Sequence, residues 1–118
     1  MHIEDFRNYC LNKPAVSEGF PFDEHTLVFK VGSKMFALAA LDTIPLRVNL
    51  KCEPSKALEL REKYPQITPG YHMNKKHWNS LSFETGLPEP LIKELIDHSY
   101  ELAVKKMSKT EKKSFNLE

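Results

Sequence analysis

Several features that mark specialised protein classes are missing from this chain of 118 residues. Its two cysteines, Cys10 and Cys52, lie far apart and form no CxxC pair, so neither a disulfide scaffold nor a zinc ribbon is indicated. Its four glycines are scattered, which excludes the glycine-rich loop that cradles phosphates in nucleotide-binding proteins. Its longest apolar run, MFALAAL at 35–41, is too short to span a membrane.

The N-terminus and the charge balance bear on where the protein is located and on which ligands it binds. The first ten residues, MHIEDFRNYC, are too polar for a signal peptide, so we expect a cytoplasmic protein with reduced thiols and no membrane contact. The segment 105–113, KKMSKTEKK, holds five lysines against one glutamate. With that segment and Glu118 set aside, residues 1–104 carry 12 basic and 14 acidic residues, a net charge of −2. The body of the protein therefore lacks the clearly basic character of strong nonspecific nucleic-acid binders.

Three amphipathic segments predict helices. The first covers about 3–12 and ends before Pro14, and the second begins at Pro54 and runs to about Tyr64. The third begins at Pro88 and carries a regular apolar stripe as far as Ala103. Beyond it the chain is rich in lysine and poor in apolar residues. We therefore expect one domain over 1–107 and a flexible lysine-rich tail over 108–118, either mobile or loosely helical.

The segment TLVFKVGSKMFALAAL predicts a β-hairpin with Gly32-Ser33 as its two-residue turn. This turn fixes a register in which Phe29 faces Phe36 and Leu27 faces Leu38. One face of the hairpin is then apolar and belongs to the core, whereas the other is only half apolar. The first face comprises Leu27, Phe29, Phe36 and Leu38, and the second comprises Val28, Lys30, Met35 and Ala37.

Two further strands follow from alternation of apolar and polar residues. In LRVNLKC at 46–52 the apolar residues point one way, and Arg47, Asn49 and Lys51 point the other. In HWNSLSF at 77–83, Leu81 and Phe83 face inward, but alternation and a bulge give opposite directions for the Trp78 side chain, and both stay open. Hairpin-linked strands framed by helices predict an α+β two-layer sandwich, with helices packed on one face of an antiparallel sheet and the other face open.

The order of several distinctive strings resembles the MmcQ/YjbR-like family of small bacterial proteins. These strings are FPFDEHTLVFKVGSKMFAL, VNLKC, LREKYPQITPGYHMNKKHWNSL and LIKELIDHSYELAV, and the resemblance covers residues 1–107. It implies a CyaY-like fold and DNA binding through a double-wing arrangement of strands. The positions that match the family strings include Lys30, Asn49, Lys51, Gly70, Tyr71, His72, Lys75, Lys76, His77, Trp78 and Asn79.

The stretch HMNKKHWNS offers the chemistry of a nucleic-acid surface. Lys75 and Lys76 can neutralise phosphates, Trp78 can stack on an unpaired base, and Asn79 can read adenine. The full predicted set adds His72 and His77 from the same stretch and Lys30, Arg47, Asn49 and Lys51 from the open sheet face. The other interpretation is that the lysines form a solvated turn and the tryptophan packs in the structure.

The same residues raise three other interpretations, which are a metal site, a catalytic site and a binding module. For a metal, His72 and His77 lie five residues apart near Cys52 and Glu53, which is not a four-ligand zinc set, so we expect no metal and no cofactor. For catalysis, either histidine could act as a base and Cys10 or Cys52 as a nucleophile, but no pairing is fixed and we assign no catalytic residue. A small-molecule or protein-binding module on the open sheet face is the alternative function. A monomer is the default expectation.

Overall fold

The structure of the protein is a computed structural model that describes residues 1–84 and 86–117. Helices frame and interrupt a run of strands, as the sequence predicts. In chain order the elements are α1 (Ile3–Leu11), β1 (Val16–Gly19), β2 (Thr26–Val31), β3 (Lys34–Ala40), β4 (Arg47–Lys51), α2 (Pro54–Lys63), β5 (Ile67–Pro69), β6 (Trp78–Ser82), α3 (Glu89–Lys105) and α4 (Lys109–Ser114).

The six strands form one antiparallel sheet in the order β1-β2-β3-β4-β6-β5. One core lies between the inner face of this sheet and the helices, and it includes residues of α1, α2 and α3. The ring of Phe6 on α1 makes edge-to-face contacts with Phe29 and Phe83, with 5.8 Å between ring centroids in each pair. The predicted α+β two-layer architecture is therefore confirmed, and no helix of residues 1–84 and 86–117 packs on the other face of the sheet.

A β-bulge changes the predicted register of the hairpin. The pairs nearest the turn, Val31 with Lys34 and Lys30 with Met35, are as predicted, but the register then shifts and Phe29 pairs with Ala37. Because of the shift, Leu38 pairs with Val28 and joins a second, smaller cluster on the opposite sheet face. The assignment of Leu38 to the core is thus wrong, whereas Phe29 and Phe36 share the core as predicted. The extra residue that a bulge inserts reverses the side-chain alternation beyond it.

Strand β1 lies between α1 and the hairpin, in a segment for which the sequence analysis predicts no strand. It pairs with β2 from Val16, opposite Val31, to Gly19, opposite Val28. A strand of four residues with one apolar side chain is too short to give a clear pattern of alternation. None of the helices within the described residues is long and apolar enough to cross a membrane.

The segment after Met107 contains helix α4, where a mobile or loosely helical tail was expected. The Ser108 side chain caps this helix by accepting a hydrogen bond from the Glu111 amide. The Glu111 carboxylate accepts a hydrogen bond of 2.8 Å from the backbone amide of Ser33, in the β2–β3 turn. Met107 is buried in the core and Leu117 packs at its edge. The tail therefore contacts the body, while the division at residue 107 stays a prediction.

Candidate functional site

The outer face of the sheet, opposite the helices, is covered in part by the loop between β5 and β6. Alternation holds along β6, so the Trp78 side chain points to the outer face. It is only 6% exposed, because Val28 and Leu38 pack beside it and Met35 and Met73 lie against this cluster. Trp78 thus forms part of the floor of the outer face and offers no free ring for stacking on a base.

The neighbouring residue, Asn79, points to the inner face and is 2% exposed. Its side-chain oxygen accepts a hydrogen bond of 2.7 Å from Nε of Arg61 on α2. Its amide nitrogen lies 3.4 Å from the carbonyl oxygen of Ala57. Both ends of the amide are engaged within the protein, so Asn79 is not placed to read adenine. Two of the predicted base-reading residues are therefore structural.

Arg61 also holds the β5–β6 loop. Its Nη2 donates hydrogen bonds to the carbonyl oxygens of Lys75 and Trp78. The Lys75 ammonium donates to the carbonyl oxygen of Gly70 at 3.0 Å, which turns this cation back toward its own loop. At Gly70 itself an added Cβ would come within 2.7 Å of the Trp78 Cβ, so a larger residue would push the loop off the sheet. The loop position is thus fixed from several directions.

A hydrogen-bond network pins Tyr71 to the outer face. The Ser80 hydroxyl accepts a hydrogen bond of 2.8 Å from the Tyr71 amide and donates to the Asn49 side-chain oxygen. The Asn49 amide nitrogen in turn donates to the Tyr71 carbonyl oxygen at 3.0 Å. Asn49 and Ser80 are buried neighbours on β4 and β6. Both backbone groups of Tyr71 are therefore held by the sheet, which fixes where its ring lies.

The Tyr71 ring supports the guanidinium group of Arg47. The Arg47 Cζ lies 4.2 Å from the centroid of this ring, the geometry of a cation–π contact. Within the described part of the chain, the guanidinium has neither an ion pair with a carboxylate nor a side-chain hydrogen bond to protein. Guanidinium carries five N–H donors in a planar fork. An oriented cation with free donors therefore faces the outer side of the sheet.

These groups surround a groove of about 350 Å³. Its apolar lining comes from Met35, Met73 and Leu38. Asn49 and His72 add polar groups. The acidic residue in the lining, Asp23, accepts hydrogen bonds from the amides of His25 and Thr26, which lower the pKa of its carboxyl group. The groove is lined by Phe22, Asp23, Thr26, Met35, Leu38, Ala40, Arg47, Asn49, Tyr71, His72 and Met73.

The other predicted cations lie elsewhere. Lys30 is on β2 opposite Ser17 of β1, away from the groove. Lys51 is at the far end of β4, with its Nζ 5.8 Å from the centroid of the Trp78 ring. Lys76 and His77 are exposed at the end of the loop. The structure therefore groups Arg47, Asn49 and His72 at one groove and does not bring all the predicted cations together.

Both cysteines lie in the core. Burial raises the pKa of the Cys10 thiol to about 12 and that of the Cys52 thiol to about 11. Each thiol is therefore protonated near neutral pH, which is unsuited to a nucleophile. Among residues 1–84 and 86–117, no group of three or more His, Cys, Asp or Glu side chains is arranged to hold a metal ion.

Sequence reasoning missed three residues that build the groove. Tyr71 was noted only as part of the family pattern, and neither Ser80 nor Arg61 was singled out. Strict alternation along β6, combined with the pairing of β4 and β6, places Ser80 beside Asn49. That pairing joins distant segments, so one sequence did not reveal it.

Comparisons with known proteins agree with this architecture. The YjbR family model matches residues 11–102. A protein of Escherichia coli O157:H7, called uncharacterized protein YbdF, is 40% identical over 111 residues, covering 93% of this chain and 90% of the relative. Uncharacterized protein YjbR of Escherichia coli K12 is 30% identical over 113 residues, or 96% of each chain.

Solved structures show the same fold. The crystal structure of a Deinococcus radiodurans protein, described by the domain name DUF419, superposes with a TM-score of 0.92 at 43% identity, covering 98% of this chain and 88% of that one. A Pseudomonas syringae protein superposes with a TM-score of 0.75 at 27% identity, covering 87% of this chain and 99% of that one. None of these proteins has a name that states an activity or a ligand.

Proposed function

The chain belongs to the YjbR family, and we propose that the groove on its outer sheet face binds a small organic carboxylate with a flat apolar group. The observation behind this proposal is the Arg47 guanidinium, which is oriented by Tyr71 and has no anionic partner within the described residues. A guanidinium fork matches the two oxygens of a carboxylate. The groove thus offers a strong point of attachment for such a ligand.

The size and lining of the groove favour a small molecule over a polymer. Its volume of about 350 Å³ is within the range of small-ligand sites. Leu38 and the flexible side chains of Met35 and Met73 provide an apolar surface that can adapt to a flat ligand. The two kinds of lining would bind a molecule that is anionic at one end and apolar at the other.

The network behind the groove supports binding by keeping its polar groups in place. Asn49 and Ser80 hold the backbone of Tyr71, and Tyr71 holds the guanidinium of Arg47. Groups that are already ordered lose little conformational entropy when a ligand binds. The groove therefore needs little reordering to bind a ligand.

An NMR titration tests this proposal, with benzoate as the probe and acetate as the matched probe without a flat group. Benzoate should shift the amide signals of Tyr71, His72 and Met73, and acetate should shift them only at much higher concentration. Arg47→Gln should weaken benzoate binding about tenfold, which corresponds to about 1.4 kcal/mol. Lys30→Gln removes one charge from the same sheet face outside the groove, and it should leave binding within about twofold.

Two results would contradict the proposal. One is the absence of shifts around Tyr71 at any benzoate concentration that leaves the protein folded. The other is an equal loss of binding in Arg47→Gln and Lys30→Gln, since a general charge effect would then replace a specific contact.

DNA is the second candidate, which the family resemblance implies. The observation in its favour is that Arg47 and Lys51 lie on the same side of β4, with Lys76 exposed in the adjoining loop. Because Trp78 and Asn79 are buried, contacts from this face would go to phosphates and would carry little base readout. Such binding should be modest and strongly dependent on salt.

Fluorescence anisotropy with a labelled duplex separates this candidate from the first. Arg47→Gln and Lys76→Gln should each weaken binding and lower the salt slope by about 0.9, the value for one phosphate contact. The double variant Lys112→Gln/Lys113→Gln is the control for a polycationic tail. If only the tail variant loses affinity, binding through the sheet face is refuted.

A further inference from the structure

A second cleft lies beyond the opposite end of β4, away from Arg47. It has a volume of about 370 Å³ and is lined by the end of β4, the start of α2, the end of α3 and the loop before β6. Leu102, Pro54 and Cys52 supply its apolar wall, and the exposed imidazole of His77 lies at its edge. The cationic groups of the lining are Lys51, Lys105 and Lys106. Elements distant in sequence therefore place three lysines around one cavity.

Few negative charges offset these lysines. Within residues 1–84 and 86–117, none of the three forms an ion pair with a carboxylate. The acidic residue in the lining, Glu53, already caps α2, where its carboxylate accepts hydrogen bonds from the amides of Ser55 and Lys56. The cleft is thus rich in positive charge although residues 1–107 together carry 14 basic and 14 acidic residues, a net charge of 0.

Lys51 is affected by both burial and its cationic neighbours. Its side chain is half-buried, and this burial is the main reason that the pKa of its ammonium group is lowered. Repulsion from Lys106 and Lys34 lowers the pKa further. A bound anion would offset this repulsion and favour the protonated, charged form of the lysine. An anion should therefore bind here more tightly than at an isolated surface lysine.

The type of cation indicates the type of anion. Lysine acts as a compact point charge, with donors that rotate to suit the oxygens of a tetrahedral phosphate, whereas arginine prefers a planar fork of two oxygens. We propose that this cleft binds a phosphate group, held by Lys51 from β4 and by Lys105 and Lys106 from the end of α3. This site is distinct from the carboxylate groove, since Arg47 and Lys51 lie four residues, or about 13 Å, apart along β4.

Isothermal titration of the full chain with pyrophosphate at low ionic strength tests the site. Lys51→Gln and Lys106→Gln should each weaken binding about tenfold, because each removes a charge that faces the anion. Lys63→Gln, at the exposed end of α2, is the matched control and should change affinity by less than about twofold. Lys106 is exposed, so its variant keeps the test valid even if Lys51→Gln disturbs the packing against Trp78.

Competition identifies the source of the phosphate. If a duplex oligonucleotide displaces pyrophosphate and loses affinity in Lys106→Gln, the cleft binds the phosphates of a nucleic acid; if the duplex does not compete, the ligand is a small phosphate ester. Equal affinity of pyrophosphate for Lys51→Gln, Lys106→Gln and Lys63→Gln would overturn the site, and so would the absence of pyrophosphate binding. The benzoate titration reports on the other end of the sheet, so either proposal can fail alone.

Discussion

Replacing Asn79 with alanine tests whether this residue supports the structure or reads a ligand. In the folded protein its oxygen accepts a hydrogen bond of 2.7 Å from the charged Arg61, and its nitrogen makes a longer contact of 3.4 Å with Ala57. A hydrogen bond to a charged group contributes about 1.5–3 kcal/mol, and the longer contact adds little. We expect the free energy of unfolding to fall by about 2–3 kcal/mol, which lowers the melting temperature by about 10 °C in a chain of this size.

Urea denaturation followed by tryptophan fluorescence measures this loss directly. The chain has one tryptophan, and Trp78 is buried in the native state, so its emission reports global unfolding. Asn8→Ala, at an exposed position of α1, is the matched control and should change stability by less than about 0.5 kcal/mol.

A double-mutant cycle shows whether the loss comes from the contact with Arg61. The coupling between Asn79→Ala and Arg61→Ala should be about 1–3 kcal/mol, because each substitution removes the same hydrogen bond. If Asn79→Ala is as stable as Asn8→Ala, the structural role is refuted, and Asn79 would again be a candidate for contact with a ligand.

Two other predictions concern pH and the C-terminal segment. His98 Nε2 accepts a hydrogen bond of 3.1 Å from the Glu53 amide. Burial lowers the pKa of this imidazole, and repulsion from the Lys56 ammonium group lowers it to a smaller extent. The folded state thus binds the proton less tightly than the unfolded chain, so the free energy of unfolding should fall as pH drops below about 6.5. Urea denaturation should show a smaller fall in His98→Gln, and equal falls would contradict the assignment. Deleting residues 108–118 should lower the melting temperature by several degrees, because α4 supplies the Glu111 contact to Ser33; calorimetry showing no change would mean that these contacts contribute nothing.

Much of the fold follows from local patterns in the sequence. The Gly32-Ser33 turn, the helix starting at Pro54 and the core position of Phe29 are all confirmed, since each depends on turn chemistry or on periodicity within one segment. The bulge, which shifts the register between Phe29 and Lys30, was not predicted, because a two-residue turn fixes the register only until an extra residue enters a strand. That single extra residue moved Leu38 from the core to the outer face.

The candidate site was harder to predict because it depends on contacts between distant segments. Arg47 and Asn49 were correctly placed on the outer face by alternation along β4. Their partners, Tyr71 and Ser80, come from a loop and a strand more than twenty residues away. Such contacts depend on how β4 and β6 pair, which the local pattern of either strand does not specify.

The nucleic-acid hypothesis placed several of its predicted contact residues next to one another in HWN, residues 77–79. Here closeness in sequence was a poor guide to closeness in space. Successive side chains of a strand point to opposite faces, so Trp78 and Asn79 cannot serve one surface while β6 is a regular strand. Residues that act together on the outer face must instead recur at every second position along β4 and β6. That rule groups Arg47 with Asn49 and places Ser80 beside them, which is the arrangement that holds Tyr71. Ligand recognition on this face therefore depends on pairs of alternate residues from neighbouring strands, and a change at Ser80 should affect Arg47 through Tyr71 without touching the ligand.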